Sequence, residues 1–405
     1  MKVLVLNSGS SSQKSALFAL GSAVEPSPNA PLWDARIEWG TGHSDLKVRF
    51  ADGHESRQQV SVADRRSALE GMLNTLWSGT KSALGSRDEI DVVGHRVVHG
   101  GSKLTEPVLI TSDVKNTISK AAVFAPLHNR AELEGIEVIE KLLGQVPQVA
   151  VFDTGFHRTL PSAAAFYPGP YQWFEQGIRR YGFHGINHEY CSQRAAQILD
   201  RRPDSLKLVT CHLGNGCSLA AIDSGRSVDT TMGFTPLEGL MMGTRSGSVD
   251  PGILIYLLRE NHLSADGLDR ILNEESGLLG ISSVSGDMRQ IFAAAREGNR
   301  RAQLAFDMFV HRLRAGIAAM AASLGGVEAL VFTAGIGENS PEVRAAACAK
   351  LDFLGINLDK EANSQSPAEH VISSSDSRVK VLIISAQEDW AIAQACRQLL
   401  TSGKK

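Results

Sequence analysis

One pattern constrains this chain more than any other, because it occurs twice. Residues 2–20, "KVLVLNSGSSSQKSALFAL", run from an apolar strand through a polar turn into a second apolar strand. Residues 207–225, "KLVTCHLGNGCSLAAIDSG", repeat that order with a Gly/Asn turn and end in Ser-Gly. Two such hairpins half a chain apart point to two related domains facing one ligand. The first hairpin is not a P-loop. That motif needs a glycine directly before its lysine and a helix after it, whereas Lys14 follows Gly9 one position early and no second glycine intervenes. "SALFAL" is apolar and ends at Gly21, so it reads as a strand. The turn is then either a phosphate cradle of backbone N–H groups and hydroxyls or an ordinary Ser/Gly hairpin.

Strand-like runs recur at 2–6, 14–20, 46–50, 91–93, 148–152, 207–211, 218–222, 329–333 and 379–384. Helical patterns lie between several of them, at 66–78, 129–143, 188–199, 300–324 and 341–350, and "QEDWAIAQACRQLL" continues the spacing near the end. This mixture is an α/β protein, and its polar hairpins exclude a purely parallel sheet. At 405 residues the chain is long for a single core, which favours two domains. A net charge of −3 gives no reason to expect nucleic acid or an anionic membrane as partner. The first residues lack the charged and apolar regions of a signal peptide, and no apolar run is long enough to span a bilayer. Five cysteines without C-x-x-C spacing argue against a disulfide framework or a zinc site, so a cytoplasmic location is expected.

A third glycine-rich turn, "AGIGENSPEVR", follows the strand "ALVFT". Gly335 and Gly337 permit close backbone approach or positive φ, and Ser340 with Pro341 and Glu342 marks a helix start. Charged residues cluster around these turns. "DVVGHRVVHGG" sets Arg96 among apolar strand residues, where an unpaired charge is costly and an anionic partner is expected. "AVFDTGFH" places Asp153 at the end of a buried strand, where α/β ligand sites concentrate. "RRYGFHGINHEY" holds His184 between glycines, and "TPLEGLMMGTRSGSVDPG" carries Arg245 in a long apolar loop. "SGDMR" adds Asp287 and Arg289. Cations near several phosphate-sized turns, with carboxylates for a metal, are the parts of phosphoryl transfer. No G-x-S-x-G elbow and no His/Cys metal cluster is present.

"LVLNSGSSSQKSALF", "GHRVVHGG", "PLHN", "VFDTGFH", "YGFHG", "HLGNGCS", "TPLEGLMMGTRSG", "SGLLGISSVSGDMR" and "AGIGENSPEVR" together closely resemble the acetate kinase family, in family order across nearly the whole chain. The resemblance implies the fold of the superfamily of acetate and sugar kinases, Hsp70 and actin. That fold has two duplicated ribonuclease H-like domains, with the active site in the cleft where ATP is clasped. Residues 1–153 with 388–405 would form the first domain and 154–387 the second. On this resemblance Asn7 and Glu388 would support Mg²⁺, with Mn²⁺ as the alternative metal, and Lys14 would approach the phosphates. Arg96 would hold the carboxylate substrate, while Asp153, His184 and Arg245 surround the transferring phosphoryl group. The ATP site would be lined by His212, Leu213, Gly214, Asn215, Gly216, Asp287, Met288, Arg289, Gly335, Ile336, Gly337, Glu338 and Asn339. Val98, Leu127, Phe183 and Pro236 would enclose the short acyl tail.

The chain departs from the family pattern at Ser248 (usually Asp), Ala334 (usually Gly), Ile186 and Asn187 (usually Thr-Ser) and Arg130 (usually Pro). The expected activity is Mg²⁺-dependent, reversible transfer of the ATP γ-phosphoryl group to acetate by in-line attack, in a homodimer. Asp153 is expected to orient cationic groups, because a carboxylate nucleophile is already ionised at neutral pH and needs no general base. The alternatives are a kinase for propionate or another short acid, and a non-catalytic ATP-dependent clasp of the Hsp70 or actin kind.

Overall fold

Val3, Leu4, Val5 and Leu6 are apolar at successive positions, and a strand of that composition is stable only when both its faces are covered. All four are buried in the computed structural model, in the middle of a mixed sheet. The structure describes residues 1–9, 12–21, 27–39, 43–61, 65–79, 81–123, 126–365 and 369–403. They form two units, Met1–Gly155 with Gln387–Lys405, and Phe156–Ala386.

The sheet of the first unit contains β1 (Lys2–Ser8), β2 (Ser12–Ala19), β3 (Trp33–Glu38), β4 (His43–Phe50), β5 (Glu55–Ser61), β6 (Val92–Val97), β7 (Val108–Leu109) and β8 (Gln148–Phe152). Their order is β5-β4-β3-β2-β1-β6-β8-β7. The second unit contains β9 (Lys207–Leu213), β10 (Cys217–Asp223), β11 (Arg226–Thr230), β12 (Ala329–Thr333), β13 (His370–Val371) and β14 (Lys380–Ile383), in the order β11-β10-β9-β12-β14-β13. The two orders share one core. In each, a hairpin and a third strand pair antiparallel, and two further strands join the first in parallel. Each sheet also ends in a two-residue strand antiparallel to its neighbour, β7 on β8 and β13 on β14. The duplication expected from the two hairpins is therefore present strand by strand, as two ribonuclease H-like units.

Helices cover the sheets where the apolar periodicity predicts. Leu69, Met72 and Leu73 of the helix Arg65–Asn74 and Val138 and Ile139 of Pro126–Leu143 pack with Leu4, Leu6, Trp33 and Ile37. The helix Glu388–Thr401 lies on β1 and β6. Gly94 permits that approach: a Cβ there would stand 2.6 Å from Cys396 Sγ and 2.7 Å from Ile392 Cγ2. In the second unit Cys191 and Ala195 of the helix Gly185–Ile198 pack with Leu208, Ala220 and Val331.

One local expectation needs correction. Ala334–Asn339 is not an open glycine turn but a short helix continuing directly from β12. Gly335 and Gly337 keep ordinary φ values, and the positive φ falls on Ala334, at 65°. Gly337 is still needed for close approach, since a Cβ there would lie 3.4 Å from the Phe332 carbonyl carbon and 3.5 Å from the Cys211 oxygen. Ser340 does cap the next helix, Pro341–Cys348, by accepting from the Val343 N–H.

Candidate active site

In the first unit the β1–β2 hairpin sets Asn7 opposite Lys14. The Asn7 side-chain amide donates to Glu388 Oε2 at 3.2 Å and to Asp389 Oδ1 at 3.1 Å, tying the hairpin to the first turn of the helix Glu388–Thr401. Arg96 lies near the end of β6. Asp153 follows its parallel neighbour β8, so the two emerge at the same C-terminal end of adjacent strands. Arg96 Nε donates to Asp153 Oδ1 at 3.2 Å and Nη2 donates to Oδ2, a forked ion pair. Its side chains are 12% and 1% exposed. Burial works against the Arg96 charge, but Asp153, Glu388 and Glu132 outweigh it and hold the guanidinium above its ordinary pKa. Burial pushes the Glu132 carboxyl up to about 8 against the pull of Arg96, while both its oxygens accept from the Val98 N–H at 3.1 Å. The Asp389 carboxyl is also pushed up, by burial first and with Glu388 adding to it, against the Asn7 hydrogen bond and Lys14.

No group of three or more His, Cys, Asp or Glu side chains converges as a metal cage among the described residues. That does not weigh against Mg²⁺, which is commonly held by one or two carboxylates with phosphate and water completing its shell. Glu388, Asp389 and the Asn7 amide oxygen are hard donors held together by hydrogen bonds, and a dication would relieve the repulsion between the two adjacent carboxylates. The donor set fits.

In the second unit His184 caps the helix Gly185–Ile198 in the left-handed region, with φ of 57°. Such a conformation costs a non-glycine residue about 1–2 kcal/mol. It holds the His184 ring stacked on His212, with centroids 4.0 Å apart and planes 12° from parallel. His184 Nδ1 meets Ser218 Oγ at 2.9 Å, and the Asn187 amide donates to His212 Nδ1 at 2.9 Å. Beside the rings lies the β9–β10 turn, closed by a hydrogen bond from the Gly214 N–H to the Gly216 oxygen at 3.0 Å. The loop carrying Arg245 is joined to this turn by the Gly243 N–H, which donates to the Asn215 oxygen at 3.1 Å. Gly216 leaves room for two groups at once, since a Cβ there would lie 3.5 Å from both His184 Nε2 and Arg245 Nη1.

Arg245 donates to the Pro236 oxygen at 3.1 Å and stands 3.9 Å from Met242 Sδ. No carboxylate pairs with it among the described residues, and burial pulls its pKa down from the ordinary value. Burial pushes the neighbouring Cys217 thiol up to about 12.

The remaining expected residues fall as follows. The short helix of Gly335, Ile336, Gly337, Glu338 and Asn339 begins beside Gly214, whose Cβ would lie 3.9 Å from Ala334 Cβ. Glu338 accepts from the Ala386 N–H at 2.9 Å. Asp287 caps the helix Met288–Arg296 and pairs with the exposed Arg289, while Met288 is buried. Leu213 and Val98 are buried, and Phe183 is 1% exposed with its oxygen 3.1 Å from His157 Nε2. The side chain of Leu127 lies outside the described residues. Of the departures, Ile186 is a buried core residue, Arg130 is exposed, and Ser248 accepts from the Gly239 N–H at 3.0 Å.

Sequence reading missed Glu132, Asp389, His188 and Ser218. His188 had a signal, because it stands four residues after His184 on the same helix face. Asp389 adjoins Glu388. Glu132 sits in the charged stretch "AELEGIE", where nothing marks one glutamate as the buried one.

The chain is similar to known proteins along nearly its whole length. The model of the acetokinase family matches residues 2–394. An acetate kinase of Trichormus variabilis is 58% identical over 403 residues, covering 99% of this chain and 100% of its own. The crystal structure of Porphyromonas gingivalis acetate kinase superposes with a TM-score of 0.90 at 41% identity, covering 98% of this chain and 99% of that one. A propionate kinase from Francisella tularensis superposes with a TM-score of 0.88 at 37% identity, covering 97% and 98%.

Proposed function

Because the chain belongs to the acetokinase family, we propose that it transfers the γ-phosphoryl group of ATP to acetate, giving acetyl phosphate and ADP, and catalyses the reverse reaction. A carboxylate oxygen attacks the γ-phosphorus in line. The new oxygen–phosphorus bond forms as the bond to ADP breaks, and no proton moves. Charge spreads over the three equatorial oxygens, so the protein's contribution is positioning and electrostatic stabilisation.

Arg245 carries this reading. It is a half-buried guanidinium whose described partners are a carbonyl and a thioether, so its other donors are available to an oxyanion beside His184 and the 214–216 turn. His184 donates to the same phosphoryl oxygens. Arg96 holds the substrate carboxylate, and Asp153 keeps the Arg96 fork in place. Glu388, Asp389 and Asn7 would hold Mg²⁺, which neutralises phosphate charge when bound. Lys14 adds a cation to the hairpin, and the 212–216 turn, 287–289 and 335–339 contribute to the nucleotide site.

The test is acetate-dependent ADP release. Arg245→Ala should lower kcat by about 10²–10³ with little change in ATP affinity, as loss of a preorganised transition-state donor does. Near-normal turnover would make Arg245 structural, and a wild-type chain that never couples ADP release to acetate would leave the non-catalytic clasp.

Propionate is the second reading, supported by the likeness to a propionate kinase. An apolar tail pocket built from Val98, Leu127, Phe183 and Pro236 would separate the two acids by only about 1–3 kcal/mol. We also infer a homodimer. The helix Pro251–Glu260 buries none of its residues and exposes Ile253, Ile255, Tyr256 and Leu258, an apolar face suited to a second copy. Five buried free thiols suit the cytoplasm, where we place the chain.

A further inference from the structure

Behind His184 runs a chain of buried hydrogen bonds whose direction can be worked out. Ser218 Oγ is 2.9 Å from His184 Nδ1 and 2.8 Å from His188 Nε2, and His188 Nδ1 is 2.7 Å from Thr210 Oγ1. Thr210, His188 and Ser218 are fully buried. A hydroxyl and a neutral imidazole each have one proton to give, so choosing the direction at one end sets every other. Thr210 settles it, because His188 Nδ1 is the only hydrogen-bond partner of its hydroxyl among the described residues. A buried O–H without an acceptor costs about 1–3 kcal/mol, so Thr210 donates. His188 then carries its proton on Nε2 and donates to Ser218, and Ser218 donates to His184 Nδ1. The proton of His184 is left on Nε2.

We propose that Thr210, His188 and Ser218 are positioning residues, forming a one-way hydrogen-bond chain that holds His184 neutral with its proton on Nε2. The proposal rests on the reading above that His184 donates to the transferring phosphoryl group. An imidazolium at His184 would force Ser218 to accept twice and leave its own proton without a partner. Beside His184 stand the His212 ring from β9, His188 from its own helix and the Arg245 guanidinium across Gly216, with His157 one ring further back. Burial holds the His188 pKa well below its ordinary value and pushes His157 down to about 4. The neighbouring ring is set the same way. Asn187 donates to His212 Nδ1, so His212 also carries its proton on Nε2, and a Cβ at Gly214 would lie 3.7 Å from that atom. Two stacked, uncharged rings thus present parallel donors at the glycine turn.

The test is nitrogen-15 spectroscopy of ring-labelled histidines in the full chain from pH 5.5 to 8.5, with the His184 signals assigned by their loss in His184→Gln. His184 should show the neutral Nε2–H pattern throughout. An imidazolium, or a proton on Nδ1, would overturn the proposal whatever the enzyme's activity. Conversely, the expected spectrum in a chain without acetate-dependent turnover would sink the reaction and keep the chain. Ser218→Ala removes the donor that competes with protonation at Nδ1, so the His184 pKa should rise toward its unperturbed ~6.5. The acid limb of kcat/KM should follow, with about a tenfold loss at pH 5.5 relative to pH 8. Ser218→Thr, which keeps a hydroxyl, should restore the wild-type limb. A uniform loss in Ser218→Ala at every pH with unchanged His184 signals would mean a structural role only. If that variant does not fold, the near-isosteric Thr210→Val removes the first donor instead, and unchanged His188 and His184 signals there would refute the direction.

Discussion

Arg96 and Asp153 form an ion pair, but the structure predicts that removing one partner costs far more than removing the other. Arg96 faces Asp153, Glu388 and Glu132, so it is the cation that balances three carboxylates. Arg96→Met leaves Asp153, 1% exposed, without its guanidinium. Breaking a buried pair in this way costs about 3–5 kcal/mol. Asp153→Asn keeps one acceptor oxygen for the fork and leaves Arg96 attracted to the other two carboxylates, so the loss should be that of one charge-assisted bond, about 1.5 kcal/mol. The gap between the variants should therefore be roughly 2 kcal/mol. It should also depend on pH. A carboxyl stranded by Arg96→Met has a folded pKa above its unfolded one, so the folded state binds the extra proton and stability falls as pH rises between the two values. Glu132, already pushed up to about 8 with Arg96 present, acts in the same direction. The Arg96→Met penalty should thus be smaller at pH 6 than at pH 8. Native-state hydrogen exchange of β6 and β8 amides would report it, since those strands carry the pair. Equal costs for the two variants, or a penalty that grows on acidification, would refute the picture of one arginine balancing several carboxylates.

Three further outcomes are expected. Asp153→Asn should lower turnover at every pH while keeping the shape of the pH–rate profile, and loss of one limb would instead assign proton transfer to Asp153. Ala334→Gly relieves a left-handed alanine worth about 1–2 kcal/mol and gives back about 0.5–1 in unfolded-state entropy. The melting temperature should then rise by roughly 1–2 °C, and a fall would show that the packing of the buried methyl outweighs the strain. Val98→Ala should raise the propionate-to-acetate ratio of kcat/KM, mainly through the propionate KM, and a lower melting temperature with an unchanged ratio would remove Val98 from the acyl pocket.

Much of the fold was legible because its inner strands are uninterrupted apolar runs. Val3–Leu6, Val149–Phe152 and Ala329–Thr333 are buried along their length and cannot be read as anything amphipathic. The edge strand β5, "ESRQQVS", has almost no apolar residue to mark it, and it pairs only because β4 presents an open edge. The short helix at 334–339 was illegible for another reason, since its glycines look like turn residues while the unusual φ belongs to an alanine. At the site, residues in glycine-rich or oddly charged settings stood out: Arg96, His184 and Arg245. Glu132, Thr210 and Ser218 did not, because burial of a polar side chain depends on which helix face or strand side turns inward. That choice is made by packing partners distant in sequence.

Gly94 lets the helix Glu388–Thr401 lie directly on β6, yet the whole of Phe156–Ala386 separates Gly155 from that helix's segment and forms the other unit. During synthesis on the ribosome, the first unit therefore waits. Its sheet is complete once β8 emerges, but the surface under Ile392 and Cys396 stays uncovered until the whole second unit has been made. The second unit is continuous in sequence and can fold meanwhile. The carboxylates of Glu388 and Asp389 arrive on the same late segment as the apolar cover. A chain interrupted anywhere before it would lack both those carboxylates and the lid over its core, leaving apolar surface open to aggregation.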